Sequence, residues 1–183
     1  MAAEARERLL DRVLAYAAQE GITGRSLRDI ARGAGTSHRM LLYHFGSREG
    51  LLAAVVAAVE ARQRVLMTAA ARGGGTPAEV MNDLWARVSE PALRPAVALF
   101  FEVFGLVAQG AAGTEELRAG LTRPWLDDAA AAAEALGVPP DPAGALLGVA
   151  VTRGLLMELL AGADRAEVDA AYQRFVEVMT APH

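Results

Sequence analysis

Residues 26–52, SLRDIARGAGTSHRMLLYHFGSREGLL, constrain this chain more than any other stretch. Leu27, Ile30, Ala31 and Ala34 fall at i, i+3, i+4 and i+7, the apolar face of a short helix. Gly35 follows where a helix commonly closes on a left-handed residue. Thr36 and Ser37 can cap a second helix, on which Leu41 and Phe45 stand one turn apart on the same side. Gly46 breaks that helix, and Ser47 can cap a third, with Glu49 in its first turn where a carboxylate complements the dipole. Two short helices joined by a glycine turn form a helix-turn-helix, the arrangement that lays its second helix in the DNA major groove.

The residues Ser26, Ile30-Ala31, Ala34-Gly35, Ser37, Leu41, Tyr43-His44-Phe45 and Arg48-Glu49 through Leu51 resemble the DNA-binding signature of the TetR family of bacterial transcriptional regulators. The resemblance implies an all-α fold. A three-helix DNA-binding head, residues 1–48, is expected on a helical ligand-binding and dimerisation domain, residues 49–183, with about nine helices in all. It also implies a homodimer joined through the last two helices, a palindromic double-stranded operator, and a repressor released by a small-molecule inducer. The family often has a small residue where Arg39 stands and Tyr where Leu42 stands, so the operator does not carry over from a relative.

Setting Leu41 inward, with about 100° per residue, keeps Phe45, Ser37 and His44 near the inner side. Thr36, Arg39, Met40, Leu42 and Tyr43 then point away. Arg39 is the natural base reader, because a guanidinium can bond bidentately to guanine O6 and N7. Leu42 and Met40 suit thymine methyls. The hydroxyls of Ser26, Thr36, Ser37 and Tyr43 suit phosphate oxygens, Arg48 adds a cation, and Arg28 fits a base edge or a phosphate. His38 and His44 complete the candidate DNA-contacting set, His44 through packing or a phosphate bond. The bland alternative makes all of these solvated residues on two short helices.

Charge is divided unevenly. Residues 1–50 hold eight Arg against six acids, whereas residues 51–183 hold ten Arg against sixteen, within a net charge of −4. A basic head and an acidic body fit a protein that meets phosphates at one end. Every basic residue other than histidine is Arg, and there is no Cys, which excludes disulfides and is compatible with a reducing cytosol. The N-terminus mixes Glu4, Arg6, Glu7 and Arg8, unlike a signal peptide, so a cytoplasmic protein is expected.

Helical periodicity continues to the end, with no sustained alternation of the kind that marks strands. The first helix is expected over Glu4–Gln19 and the fourth from Ser47 towards Ala71. Thr76-Pro77-Ala78-Glu79 is a capping box, Thr114 is expected to cap a later helix, and Pro124 should kink or break that helix. Asp141-Pro142 opens the penultimate helix, which Gly162 closes, and Asp164 opens the last, ending near Met179. The run 143–163 is long enough to raise a membrane span, but Arg153 and Glu158 argue for a buried soluble helix and no membrane.

Gly144, Gly148, Ala150 and Gly154 would let a partner helix approach closely, and Val168, Ala171, Tyr172, Phe175, Val176 and Met179 form an apolar stripe for the dimer. Met81, Trp85, Phe100, Phe101, Phe104, Leu121 and Trp125 are the candidate lining of an apolar or aromatic ligand pocket, with an ordinary core as the alternative. Asn82, Arg94, Gln109, Arg123 and Arg153 are the polar groups available to orient a ligand.

An enzyme is not expected. His38, His44 and His183 are the only histidines, so metal clusters and triads have little material. Asp127 and Asp128 diverge by about 100° on a helix and share no site. There is no glycine-rich cofactor loop, and no cofactor is expected. A helical protein-binding adaptor is the other alternative; it would leave Arg39 and Arg48 without a role.

Overall fold

The computed structural model describes residues 2–181, so His183 lies outside the described residues. Among these the chain is all-helical: α1 (Ala2–Glu20), α2 (Leu27–Gly33), α3 (His38–Phe45), α4 (Arg48–Arg72), α5 (Pro77–Val88), α6 (Arg94–Ala108), α7 (Glu115–Gly120), α8 (Arg123–Ala135), α9 (Pro142–Ala161) and α10 (Arg165–Met179). A 3₁₀ turn, Pro91–Leu93, leads into α6.

Ten helices stand where about nine were expected, and Pro124 accounts for the difference. It breaks the element rather than kinking it: α7 ends at Gly120, and Pro124 sits in the first turn of α8, where its missing N–H costs no intrahelical bond. The Thr114 hydroxyl donates to the Ala111 carbonyl at 2.6 Å. The capping box of α5 forms with both reciprocal bonds, Glu79 N to Thr76 Oγ1 at 3.2 Å and Thr76 N to Glu79 Oε2 at 2.7 Å. These bonds to Thr76 hold the Glu79 carboxyl below its ordinary range.

Contacts sort the chain into two compact units, residues 1–60 with 95–120, and residues 61–94 with 121–183. In the first, α1 packs on α2 and α2 on α3. Leu9, Val13, Ile22, Leu27, Ile30, Leu41 and Phe45 are buried. Arg12 donates to the Gly35 carbonyl at 3.1 Å, and Arg25 donates to the Tyr16 hydroxyl at 2.8 Å, so α1 and its neighbourhood grip both ends of α2. A Cβ at Gly33 would overlap the Tyr16 ring, which is why that turn of α2 carries no side chain.

In the second unit α10 packs on α9 and α5, and α8 packs on α9. Trp85 of α5 stacks on Tyr172 of α10 with ring centroids 4.5 Å apart and planes 12° from parallel. Trp85 Nε1 donates to Asp169 at 2.8 Å, and the Tyr172 hydroxyl donates to the Met81 carbonyl at 3.0 Å. Both aromatic residues thus bury a large apolar face while keeping their polar atoms satisfied.

The helix expected to be buried, α9, is not. Only Gly144 on it is fully buried, although α9 is long and apolar enough to cross a membrane, as is the segment Pro91–Ala108. Part of the small-residue and apolar stripes expected to meet a partner is used within the chain, while Ala150, Gly154 and Ala171 of those stripes stay exposed. Gly144 lies against Met179 and Gly148 against Phe175, while Val168, Tyr172 and Val176 are buried. The outward face of α9 keeps Ala150 and Gly154 of that stripe and adds larger apolar residues. Ala143, Leu147, Ala150, Gly154, Met157 and Ala161 are exposed at alternating spacings of four and three, with Leu146 beside them. Sequence periodicity could not separate two faces on a helix that is apolar nearly all round.

Burial pushes the Tyr172 phenol up to about 12. A raised phenol favours the fold while neutral, so its contribution is whole below about pH 10 and lost as pH rises towards about 12. Tyr172→Phe should therefore flatten the alkaline limb of stability between these values. At neutral pH it should cost about 1 kcal/mol for the lost bond to Met81. Urea unfolding at neutral and alkaline pH measures both.

Candidate nucleic-acid interface

The candidate interface is built on two short helices, each capped at its N-terminus by a serine side chain. Ser26 caps α2 by accepting from Asp29 N at 3.2 Å, and its hydroxyl also bonds the Asp29 carboxylate. That bond, with Arg32 beside it, holds the Asp29 carboxyl below its ordinary range. The carboxylate thus stays charged in the first turn of α2, where the helix dipole favours it. At the other end Thr36 N reaches back to the Ala31 carbonyl and Gly35 N to the Arg32 carbonyl, with Gly35 at φ +63°. This double closure needs the left-handed residue that glycine supplies without strain. Of the two candidate caps for α3, Ser37 does the work: its Oγ accepts from Met40 N at 3.1 Å.

With these ends fixed, α3 has one buried side and one open side. Leu41 is 0% exposed and Phe45 is buried, with the Arg6 guanidinium 5.0 Å from the Phe45 ring centroid. Tyr43 is 76% exposed, and Arg39, Met40 and Leu42 are exposed with it. Ser26, Ser37 and Arg28 are exposed, whereas Thr36, His38, His44 and Arg48 are half-buried. The His44 ring meets Tyr43 edge-on at 4.9 Å, which orders the exposed phenol. Ser26 and Ser37 spend one acceptor each on a helix end, so they serve the backbone of the motif first.

The six arginines of residues 12–48 divide in two. Arg12, Arg25, Arg32 and Arg48 are bonded within the chain. Arg28 and Arg39 have no hydrogen-bond or ion-pair partner among the described residues and keep their full donor sets for another molecule.

Arg48 departs most from its expected place. Its Nε donates to the Arg25 carbonyl at 2.8 Å, and its NH2 group pairs with Glu102 of α6 at 2.9 Å. Both side chains are about one-quarter exposed, 26% for Arg48 and 25% for Glu102. A guanidinium neutralised in this way ties the start of α4 to the rest of the unit and is poorly placed as a free phosphate anchor. Glu102 went unnoticed in the sequence, although a lone carboxylate in the apolar run VALFFEVFGLV signals a buried charge that needs a partner.

The candidate ligand-lining residues are distributed over both units. Trp85 packs with Val168, Tyr172 and Val176, and Met81 lies against that same cluster. Trp125 joins Met67, Ala71, Val80 and Ala132. Leu121 is buried, and its carbonyl accepts from Arg153 at 2.6 Å. Phe100, Phe101 and Phe104 belong to the first unit, where Phe100 meets Phe101 edge-on at 5.1 Å and Phe104 is exposed. Of the polar groups considered for orienting a ligand, Arg94 donates to the Leu159 and Leu160 carbonyls, and Asn82 accepts from Gln173.

Residues 9–55 match the model of the bacterial regulatory proteins, tetR family. No curated protein sequence matches the chain. Among solved structures, the chain is similar to a TetR-family transcriptional regulator from Rhodococcus at 24% identity and a TM-score of 0.72, over 98% of this chain and 100% of that one. A second Rhodococcus transcriptional regulator matches at 19% identity and a TM-score of 0.71, over 95% of each chain. The multidrug binding protein EbrR, solved with imidazole, matches at 21% identity and a TM-score of 0.64, over 97% of this chain and 96% of that one. At these identities the likenesses establish a shared all-helical fold along nearly the whole chain.

Two substitutions separate the free arginines from the bonded one. Arg39→Ala should relax preference at one base position, by about 1–3 kcal/mol, in a randomised-site selection. Arg48→Ala should leave the salt dependence of DNA binding as it is. It should instead destabilise the protein by about 1–3 kcal/mol, since it leaves Glu102 half-buried and unpaired. A phosphate anchor would lower the salt slope by about one unit.

Proposed function

We propose that this chain, whose residues 9–55 belong to the tetR family of bacterial regulatory proteins, is a dimeric, sequence-specific DNA-binding repressor of transcription, released from its operator by a small molecule. The observation that carries the reading is the open side of α3. An unpaired Arg39 stands there among exposed Met40, Leu42 and Tyr43, over a buried Leu41 and Phe45, inside the matched residues. In the proposal residues 1–48 form the DNA-binding head. Arg39 reads a base edge, Met40 and Leu42 touch thymine methyls, and Tyr43, Thr36, Ser37, Ser26, His38, His44 and Arg28 serve phosphates or flanking edges. Arg48 acts there through the junction it holds.

One helix-turn-helix contacts few bases, so specificity calls for two heads about 34 Å apart on a palindrome. The second copy would sit on the last two helices, against the exposed apolar face of α9 that includes Leu146, Leu147 and Met157. Exposed apolar stripes of this size mark an interaction surface. A second copy also accounts for α9 better than a bilayer does, because Arg153 on it is bonded to the Leu121 carbonyl and Thr122 hydroxyl. A cytoplasmic location follows from this role.

A protein of the same fold has been solved with imidazole, and aromatic side chains are plentiful here on α5, α6 and α8. The inducer would be apolar or aromatic.

The purified protein should select a palindrome from randomised duplexes, with affinity falling steeply as salt rises. It should sediment as a dimer without DNA at micromolar concentration. Absent or salt-independent binding would overturn the regulator reading, and a micromolar monomer would overturn the dimer.

A further inference from the structure

The junction between α3 and α4 is gripped by residues far along the chain, in the segment 95–120 that shares a compact unit with the helix-turn-helix. One grip is electrostatic. Glu102 Oε1 accepts from Arg48 at 2.9 Å, and the same guanidinium donates to the Arg25 carbonyl at 2.8 Å. Glu102 Oε2 is buried with no hydrogen-bond partner among the described residues, so the charge of this carboxylate leans on Arg48.

The other grip is steric. Gly113, at φ +86°, comes so close to the first turn of α4 that a Cβ on it would stand 3.0 Å from Ser47 Oγ and 3.2 Å from Gly50 N. Those are the two atoms of the α4 cap, bonded at 2.9 Å. Gly50 in turn has no room for a side chain, because a Cβ would overlap the Phe45 carbonyl at the end of α3. Both grips therefore land within a few residues of the C-terminus of α3.

We propose that Glu102 and Gly113 are positioning residues for DNA reading: they fix the α3–α4 junction, and with it the angle at which α3 presents Arg39, Met40, Leu42 and Tyr43. The DNA-reading unit then includes the segment 95–120 and is larger than the sequence motif that announces it. This rests on α3 being the reading helix, and the test keeps the two ideas apart.

The full chain carries Glu102→Ala, Glu102→Gln, Gly113→Ala or Arg39→Ala. Each variant is measured on a duplex bearing the selected palindrome, on a scrambled duplex of equal length, and by amide hydrogen exchange over residues 38–51. Glu102→Ala and Gly113→Ala should weaken palindrome binding about tenfold while leaving scrambled-duplex binding and the salt slope unchanged, and should speed exchange. Glu102→Gln, which keeps an acceptor for Arg48, should lose less. Arg39→Ala should lose base preference with exchange unchanged.

Wild-type palindrome affinity in both Glu102→Ala and Gly113→Ala overturns the proposal, as does unchanged exchange. Equal losses on the two duplexes with a lowered melting midpoint assign a merely structural role and overturn it too. If Glu102→Ala fails to fold, Glu102→Gln and Gly113→Ala decide by the same readouts. If the wild-type protein binds neither duplex, the reading of α3 falls. Exchange then decides alone: faster exchange upholds the grip on the junction, and unchanged exchange removes it.

Discussion

A helix of eight residues does not stand by itself in water, since an isolated helix is marginal below about 12–15 residues. α3 is such a helix, and what faces outward from it depends on what holds it. Leu41 and Phe45 provide apolar anchorage, Ser37 satisfies an orphan amide at the start, and Gly46 turns the chain at the end with its N–H on the Leu42 carbonyl. The outward set of Arg39, Met40, Leu42 and Tyr43 follows from these restraints by helical geometry. In the proposed role a side chain that reads a base edge must be delivered to within about half an ångström, so Arg39 would depend on the buried Leu41 and Phe45.

The local links of this chain were legible in the residues. Ser37, Asp141 and Asp164 cap helices where their positions ahead of apolar runs indicated, because an N-cap depends on a few neighbouring amides and little else. The face of α3 was legible within the helix, where one inward leucine fixes Phe45, Arg39, Met40, Leu42 and Tyr43. Ser37, expected inward, is exposed, and Thr36, expected outward, is half-buried. Both precede the helix, and its step of about 100° does not reach them.

Long-range pairings were not legible. Arg48 looks like any cation at a helix start until Glu102 is found beside it, and nothing in local spacing connects the two. The aromatic residues of α5, α6 and α8 have helical periods compatible with a pocket or a core. Only the stacking of Trp85 on Tyr172 and the gathering of Trp125 with Met67 and Val80 show how they are used. For α9 the composition indicated an apolar helix but not which of its faces meets its own chain. Glycine answers that in the structure, since Gly144 and Gly148 mark where Met179 and Phe175 come closest.

In the proposed dimer the open face of α9 would make folding and assembly one equilibrium. Leu146, Leu147 and Met157 face outward in the single chain, and any molecule that covers them binds the folded state alone. Such coverage adds stability that grows with the logarithm of the concentration of whatever provides it. With a second copy as the cover, the ligand is the protein itself. On the proposed reading, dilution would loosen the body and empty the operator together, and the number of copies in a cell would become an input to the switch alongside any small molecule.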